Sequence, residues 1–233
     1  MSSIISEQKH QRVVELENEL RSENFKRPQY RYGMDLVKAT GLTKGRIIEF
    51  GGGRGEFSRL LKDHGFEVVF TDINQANVEF AKSIGFEGYV IDANSGMADQ
   101  KADSYDGAVM LEVIEHVTQA ELLLTETHRI LKPGGFLVLS TPNPYFLWRR
   151  LSVLFGKPID GEGYHWRYFT VYSLESTLRE SGFTIITHNH YASTFGLGKI
   201  LKLIGYTKTF RWPRFLHGLL VRKIYFLMEK RDH

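Results

Sequence analysis

RIIEFGGGRGEF, residues 46–57, indicates how the central fold begins. The apolar run RIIEF is typical of a short buried strand, and the glycines after it allow a sharp turn close to a bound ligand. Gly55 then opens a helix whose backbone amides face that turn. The dinucleotide fingerprint G-x-G-x-x-G is absent, because its third glycine would fall on Glu56 or Ser58. A ligand without phosphate groups therefore fits this loop better than a dinucleotide.

Helix and strand patterns alternate along the chain outward from this loop. Helices are predicted at 32–40, 57–65, 74–85, 119–131 and 171–182, and further strands at 66–72, 86–93, 105–113, 135–143 and 183–191. The segment 219–229 fits either a strand or a helix. Strands separated by helices imply right-handed crossovers. The predicted fold is α/β: a doubly wound, Rossmann-like, mostly parallel sheet of about seven strands with helices on both faces.

The same patterns divide the chain into three regions. Residues 1–43 are predicted to form an N-terminal helical cap, which includes a sparse helical pattern at Glu7–Arg21. Residues 44–191 form the sheet core, with an insertion at 144–166 that is too long for a plain connection. Residues 192–233 form a basic, aromatic C-terminal extension, which either includes or precedes the last strand.

Composition narrows the range of functions. The chain has 233 residues, 42% of them hydrophobic and 24% charged, as in ordinary globular proteins. It has no cysteine, which excludes disulfides, a thiolate zinc site and a cysteine nucleophile. The first twenty residues lack the apolar core of a signal peptide, and no run approaches the ~20 apolar residues of a membrane span. We expect a cytoplasmic protein.

The glycine loop resembles the first motif of the class I S-adenosylmethionine-dependent methyltransferases. That motif is an acidic residue, one spacer and G-x-G-x-G, and it stands here as Glu49, Phe50 and then Gly51, Gly53 and Gly55. The resemblance covers roughly residues 44–191. It implies that S-adenosylmethionine is the cofactor and that 44–191 is the domain that binds it.

The resemblance also implies roles for residues at successive strand ends. The glycines pass under the methionine portion and the ribose, and Glu49 organises the loop. Asp72 accepts both ribose hydroxyls, Asp92 lies near the adenine amino group, and Leu111 lines the reactive side. The predicted cofactor-binding residues are Glu49, Gly51, Gly52, Gly53, Gly55, Asp72, Ile73, Asp92, Ala93 and Leu111.

The segment LEVIEHV, residues 111–117, follows the fourth predicted strand and places Glu112, Glu115 and His116 close together. If the segment is helical, these positions share one face. The pattern resembles that of the ubiquinone-pathway O-methyltransferases and of the small-RNA 2′-O-methyltransferases. In the latter, resemblance makes the three residues ligands of a divalent metal, completed here by His165. Two other interpretations stay open: His116 acts as a metal-free base, or the three side chains only cap and solvate a turn.

The resulting hypothesis is O-methylation of a hydroxyl on a small or lipid-like acceptor, with Glu112, Glu115 and His116 as catalytic residues. The alternatives are 2′-O-methylation of RNA and a non-catalytic cofactor-binding partner protein. Aromatic and basic residues at 144–166 and 199–228 suggest peripheral membrane contact. A net charge of only +3 argues against a dedicated nucleic-acid binder. The sequence does not indicate an oligomeric state.

Overall fold

The computed structural model describes residues 27–159, 165–188, 191–192 and 217–231. The helix predicted at Glu7–Arg21 lies outside these residues. So does most of the C-terminal extension, at 193–216.

The described residues form an eight-stranded sheet with the order β3-β2-β1-β4-β5-β8-β6, in which β7 also pairs with β8. Pairing is parallel from β3 through β5, whereas β8 is antiparallel to both β5 and β6. This arrangement confirms the predicted mostly parallel α/β fold. The strands are β1 (Arg46–Phe50), β2 (Glu67–Asp72), β3 (Glu87–Val90), β4 (Tyr105–Leu111), β5 (Leu131–Pro142), β6 (Phe183–His188), β7 (Tyr191–Ala192) and β8 (Val221–Lys230).

Helices cover both faces of the sheet. They are α1 (Pro28–Ala39), α2 (Glu56–Asp63), α3 (Gln75–Ser83), α4 (Ala120–Ile130), α5 (Leu147–Leu154), α6 (Val171–Glu180) and α7 (His217–Leu220). Helix α1 begins four residues before the predicted start at Tyr32, because Pro28 occupies the first helical turn, where its fixed φ and missing N–H are tolerated.

Consecutive residues of the central strand pack into different layers. Ile47 belongs to the apolar cluster that contains Leu36 of α1 and Phe57 of α2. Ile48 belongs to the cluster on the opposite side, with Leu123 of α4. Both isoleucines are fully buried. A strand covered on both faces has no polar alternation, which explains the continuous apolar run of the opening segment.

The segment 219–229 forms a strand over nearly its whole length. Ile224–Met228 lies in β8 between β5 and β6, and these side chains are buried. The buried residues Ile224–Met228 offer no surface to a membrane, and 199–216 lies outside the described residues. Membrane contact by the rest of 199–228 stays a prediction. The insertion at 144–166 contains the helix α5. Among the described helices, none has both the length and the apolar composition needed to cross a bilayer.

Candidate functional site

The loop after β1 requires glycine for steric reasons. Gly51 has φ +62°, and a Cβ there would lie 2.7 Å from Cγ2 of Val113. A Cβ on Gly52 would lie 2.2 Å from Cε2 of Phe70, which is fully buried in β2. The loop can therefore approach both the next strand and the segment after β4 only without side chains. This close approach places the ends of β1, β2 and β4 at one edge of the sheet.

Asp72, at the end of β2, fixes the glycine loop. Its Oδ2 accepts a hydrogen bond of 2.9 Å from the Gly53 amide, and its Oδ1 accepts one of 2.8 Å from the Asn74 amide. Asn74, rather than Asp72, caps α3 by accepting a hydrogen bond from the Ala76 amide. The aspartate is thus not needed as a helix cap, and its carboxylate lies at the sheet edge where ligands bind in such folds.

A cavity of about 320 Å³ opens at this edge, between the loops that follow β1, β2, β3 and β4. Its wall includes five of the ten predicted cofactor-binding residues: Gly51, Asp72, Ile73, Asp92 and Ala93. Ile73 presents an apolar side chain that is 66% exposed. The other five do not contribute to the wall formed by the described residues; they are Glu49, Gly52, Gly53, Gly55 and Leu111.

Glu49 lies beneath the loop and is only 4% exposed. Its Oε2 accepts a short hydrogen bond from the Ser58 hydroxyl of α2. Burial raises the pKa of Glu49 to about 8, and the nearby carboxylates of Glu56 and Asp72 act in the same direction, while the Ser58 hydrogen bond opposes them. Glu49 therefore joins β1 to α2 and carries a proton at neutral pH in the absence of a cationic ligand.

Asp92 occupies the loop after β3. It accepts hydrogen bonds from the backbone and side-chain nitrogens of Asn94 and from the Ser95 hydroxyl, and these bonds hold its pKa below the usual range, led by the Asn94 amide. Asn94 Oδ1 in turn accepts from the amides of Thr118 and Gln119, at 2.8 and 3.1 Å. These contacts tie two walls of the cavity together and keep Asp92 ionised.

LEVIEHV does not form a regular helix, so the predicted sharing of one helix face is wrong. Only Ile114–His116 forms a 3₁₀ turn, and Glu112 before it adopts φ +59°. A positive φ is uncommon for a residue other than glycine, and such backbone strain is concentrated at functional sites. Glu112 is held by a 2.7 Å hydrogen bond from the Ser140 hydroxyl and by a 2.7 Å ion pair with Lys223 of β8.

Glu115 points into the protein and is 2% exposed. Its Oε2 accepts a hydrogen bond of 3.1 Å from Thr141, whereas its buried Oε1 has no hydrogen-bond partner among the described residues. Burial, reinforced by the negative charge of Glu112, raises the pKa of Glu115 to about 8. A buried oxygen without a partner costs free energy unless a proton or a cation occupies that position.

His165 reaches this turn from the far end of the insertion. The amides of Trp166 and Arg167 donate to the Glu115 carbonyl oxygen, at 2.8 and 3.1 Å, which docks the segment after the insertion onto the 3₁₀ turn. The rings of His116 and His165 have centroids 4.8 Å apart. The structure thus groups three of the four predicted metal ligands, with ligand atoms of Glu115, His116 and His165 all within 4.8 Å of one another. Glu112 lies outside the group.

A second cavity, of about 360 Å³, lies beside the histidines. It is lined by Glu112, Glu115, His116 and His165 on one side and by residues of β5, the insertion and β8 on the other. Glu112 and His116 line both cavities. A ligand in one cavity and a ligand in the other would therefore meet at these two side chains.

A family model described as a methyltransferase domain matches residues 22–188, well over half of the chain. The chain belongs to the methyltransferase family. This membership confirms the family predicted from Glu49 and the glycine loop.

Named relatives of this methyltransferase agree with that result. A ubiquinone biosynthesis O-methyltransferase of Mesorhizobium japonicum is 32% identical over 117 residues, 48% of this chain and 47% of the relative. The mitochondrial ubiquinone biosynthesis O-methyltransferase of Mus musculus is 30% identical over 155 residues, 61% of this chain and 42% of the relative. The chain thus spans about half the length of these relatives.

Solved structures show the same fold. An S-adenosylmethionine-dependent methyltransferase from Mesorhizobium loti superimposes with a TM-score of 0.61 at 19% identity, covering 83% of this chain and 95% of that one.

Sequence reasoning missed several residues of the candidate site. Ser140, Lys223 and Arg222 reach it from β5 and β8, and Arg149 reaches it from α5. Lys223 is paired with Pro142 in the β5–β8 register, directly beside the end of β5. Detecting it required recognising 221–230 as a strand and placing that strand next to β5. The sequence offered only a weak alternation there.

Proposed function

We propose that this methyltransferase uses S-adenosylmethionine to methylate a hydroxyl oxygen of a small or lipid-like acceptor. The meeting of two cavities at Glu112 and His116 carries the proposal. One cavity is lined by the ends of the parallel strands, where cofactors bind in this type of sheet, and the other is available to the acceptor. The bacterial and mouse relatives are both named O-methyltransferases, which agrees with an oxygen acceptor.

The first cavity suits a nucleoside with a charged amino-acid portion. Among the described residues, each carboxylate oxygen of Asp72 accepts a hydrogen bond from one backbone amide, so lone pairs remain for both ribose hydroxyls. Ile73 offers an apolar surface to the adenine ring, and Asp92 offers an acceptor to its amino group. Glu49 lies below the loop, where ionisation of its carboxyl would stabilise a cofactor ammonium group above it.

Methyl transfer demands alignment more than chemical activation from the protein. The sulfonium is a strong electrophile, so holding the hydroxyl oxygen in line with the methyl carbon supplies much of the rate. The oxygen–carbon bond forms as the sulfur–carbon bond breaks, and the sulfur keeps the electron pair. Without a metal, His116, at the junction of the cavities, would accept the hydroxyl proton. The ring of His165 lies beside it, with the two ring centroids 4.8 Å apart.

The residues around His116 also fit a divalent cation. Glu115 has a buried Oε1 without a partner among the described residues. One oxygen of its carboxylate lies within 4.8 Å of ligand nitrogens of both His116 and His165. One carboxylate and two histidines suit zinc, manganese or iron(II). A cation held by Glu115, His116 and His165 would make His116 a ligand instead of the base, and it would activate the acceptor by lowering the pKa of its hydroxyl. Glu112 would stay paired with Lys223 and Ser140 and would face the acceptor.

The first experiment titrates the protein with S-adenosylmethionine and with its demethylated product in a calorimeter. Both should bind, and Asp72→Ala should weaken binding at least tenfold, because a charged acceptor for two hydroxyls is lost. The exposed Asp99→Ala is the matched control and should bind like the wild type. Absence of heat with either compound would refute the cofactor assignment.

A second experiment measures turnover of labelled cofactor with phenolic lipids, small catechols, sugars and short RNAs. Label should enter a hydroxylated small molecule or lipid. Transfer to RNA alone would replace the proposed acceptor class.

Elemental analysis of the purified protein should show one divalent metal per chain, and this metal should be absent from the His165→Ala variant. Full retention of the metal in that variant would exclude His165 as a ligand.

The insertion at 144–166 supports peripheral membrane contact by the same enzyme. Trp148, Leu154 and Phe155 are 51%, 78% and 82% exposed on and just after α5, beside Arg149 and Arg150. Large apolar side chains next to basic ones match the interface of an anionic bilayer. Co-sedimentation with anionic vesicles should be lost in Trp148→Glu but kept in Ile186→Glu, which changes an equally exposed side chain on β6. Failure of the wild type to sediment would refute membrane contact.

A further inference from the structure

The cavity beside His116 carries more positive charge than the proposed chemistry needs. Besides the two histidines, Arg149, Arg167, Arg222 and Lys223 line it. Transfer of a methyl group from a cationic sulfonium to a neutral hydroxyl gives no reason to gather basic side chains at the acceptor. Their presence must therefore be explained by folding contacts or by the acceptor itself.

Folding contacts explain two of the four. Lys223 forms its ion pair with Glu112, and Arg167 pairs with Glu121 and donates to the Thr118 carbonyl oxygen. Arg149 and Arg222 form no ion pair in the part of the chain that the structure describes. Two guanidinium groups thus line one cavity without a counter-charge from that part of the chain.

Arg222 is nevertheless held in place. Its guanidinium carbon lies 5.4 Å from the ring centroid of Phe146, which also lines the cavity. The buried Asn143 donates its amide N–H to the Arg222 carbonyl oxygen at 2.9 Å and its side-chain amide to the Val221 carbonyl oxygen at 2.8 Å. Stacking on an aromatic ring and a fixed strand reduce the entropy that the side chain loses on binding an anion.

Arg149 approaches the cavity from the first turn of α5. This turn contains no acidic side chain, although the helix dipole favours negative charge there. An anion at this position would compensate both the dipole and the guanidinium. Arg149 comes from the insertion and Arg222 from β8, so the two groups face the cavity from different elements.

We propose that the acceptor carries an anionic group, a carboxylate or a phosphate, which Arg149 and Arg222 bind while its hydroxyl lies at His116. This inference rests on the proposed function, since it takes this cavity to be the acceptor site. Planar guanidinium groups bind carboxylate and phosphate oxygens through paired hydrogen bonds. A cavity of about 360 Å³ accommodates a one-ring acceptor, with the anion at one end and the reacting hydroxyl at the other.

The test measures binding of three one-ring probes to the protein saturated with S-adenosylhomocysteine. The probes are catechol, 3,4-dihydroxybenzoate and 3,4-dihydroxybenzylphosphonate. At least one of the acidic probes should bind about tenfold or more tightly than catechol, because it adds charge-assisted hydrogen bonds. The preferred acid distinguishes a carboxylate-bearing acceptor from a phosphate-bearing one.

Variants of the two arginines test whether these side chains cause the preference for the acid. Arg149→Met and Arg222→Met keep apolar stems of similar length, and each should remove most of the preference for the acid while leaving S-adenosylhomocysteine affinity unchanged. Arg150→Met is the matched control, because Arg150 is an exposed neighbour on α5 outside the cavity lining, and it should preserve the preference. Arg222→Lys should restore part of it. Unchanged melting temperatures show that the variants fold.

The outcomes separate this inference from the proposed function. Arginine-dependent binding of an acid that is never methylated would support the anion site and count against O-methylation. Methylation of catechol with equal binding of all three probes would overturn the anion site and leave O-methylation standing. Absence of binding by either acid, or a preference that survives both methionine variants, would also overturn the anion site.

Discussion

The buried carboxyl of Glu49 makes the stability of this protein depend on pH in a direction unusual for a glutamate. Most carboxyl groups stabilise a folded protein in their ionised form, through ion pairs or hydrogen bonds. Here burial dominates and raises the pKa of Glu49 from 4.5 to about 8. Glu49→Gln removes the titration but keeps a side chain of similar shape that can still accept the Ser58 hydrogen bond.

The size of this pH effect follows from the linkage between protonation of Glu49 and folding. Between pH 4.5 and about 8, the folded protein retains a proton on Glu49 that the unfolded chain has released. The free energy of unfolding therefore decreases as the pH rises, by about 1.4 kcal/mol per pH unit for this one group. Between about pH 5.5 and about pH 7.5, the free energy of unfolding of the wild type should therefore fall by about 3 kcal/mol more than that of Glu49→Gln. The loss ends above the folded-state pKa.

Urea denaturation of the cofactor-free protein at half-unit pH intervals measures this difference directly. The profiles of wild type and Glu49→Gln should diverge with rising pH, with the variant becoming the more stable protein. Glu79→Gln changes an exposed glutamate of α3 and should run parallel to the wild type. Parallel profiles for the wild type and Glu49→Gln would refute the buried, protonated state of Glu49.

Four further predictions concern the loop and the two cavities. Gly52→Ala should lower the free energy of unfolding by about 1–3 kcal/mol in urea titrations, because its Cβ would overlap the buried ring of Phe70. A Cβ on Gly53 would meet no described atom within 4 Å, so Gly53→Ala should lower it by only about 1 kcal/mol, through backbone strain. His116→Ala should reduce kcat at least a hundredfold, and unaltered turnover would exclude His116 from the reaction. Lys223→Met leaves Glu112 without its cation, so single-turnover assays should show slower methyl transfer at unchanged cofactor affinity; an unchanged rate would show that this ion pair has no part in the reaction. Thr141→Val removes the hydrogen bond to Glu115 and should lower the metal content after dialysis against a chelator. Full retention of the metal would show that Thr141 does not contribute to metal binding.

The sequence predicted those parts of the molecule that depend on short-range patterns. Continuous apolar runs identified the parallel strands, since residues such as Ile47 and Ile48 are buried on opposite faces. Gly51 and Asp72 were found because successive strands of a parallel sheet end at the same edge, so residues after each strand meet there. The position of His165 near His116 was predicted from resemblance, and the structure supplies its cause in the Trp166 and Arg167 amide contacts with Glu115.

What the sequence did not predict depends on long-range pairing. The antiparallel insertion of β8 between β5 and β6 brings Arg222 and Lys223 beside the end of β5, roughly 80 residues away along the chain. The left-handed conformation of Glu112 was likewise not predicted, because neither the strand predicted at 105–113 nor a helix through LEVIEHV has a positive φ. The sequence around Glu112 cannot show that Ser140 and Lys223, which are distant along the chain, hold Glu112 in a strained conformation.

The two features that the sequence did not predict, the pairing of β8 with β5 and the left-handed conformation of Glu112, act on the same side chain, that of Glu112. Glu112, which has a positive φ, pairs with Lys223 and is not part of the group formed by Glu115, His116 and His165. One glutamate thus neutralises a lysine that lines the cavity beside His116, and the other places a carboxylate oxygen near the two histidines. Because Lys223 is neutralised in this way and Arg167 pairs with Glu121, the remaining arginine charge of this cavity is carried by Arg149 and Arg222. We therefore expect the two glutamates of the E-x-x-E-H pattern to have separate tasks, acceptor orientation for Glu112 and proton or metal chemistry for Glu115 with His116. Exchanging Glu112 for Gln should then disturb acceptor affinity more than metal content.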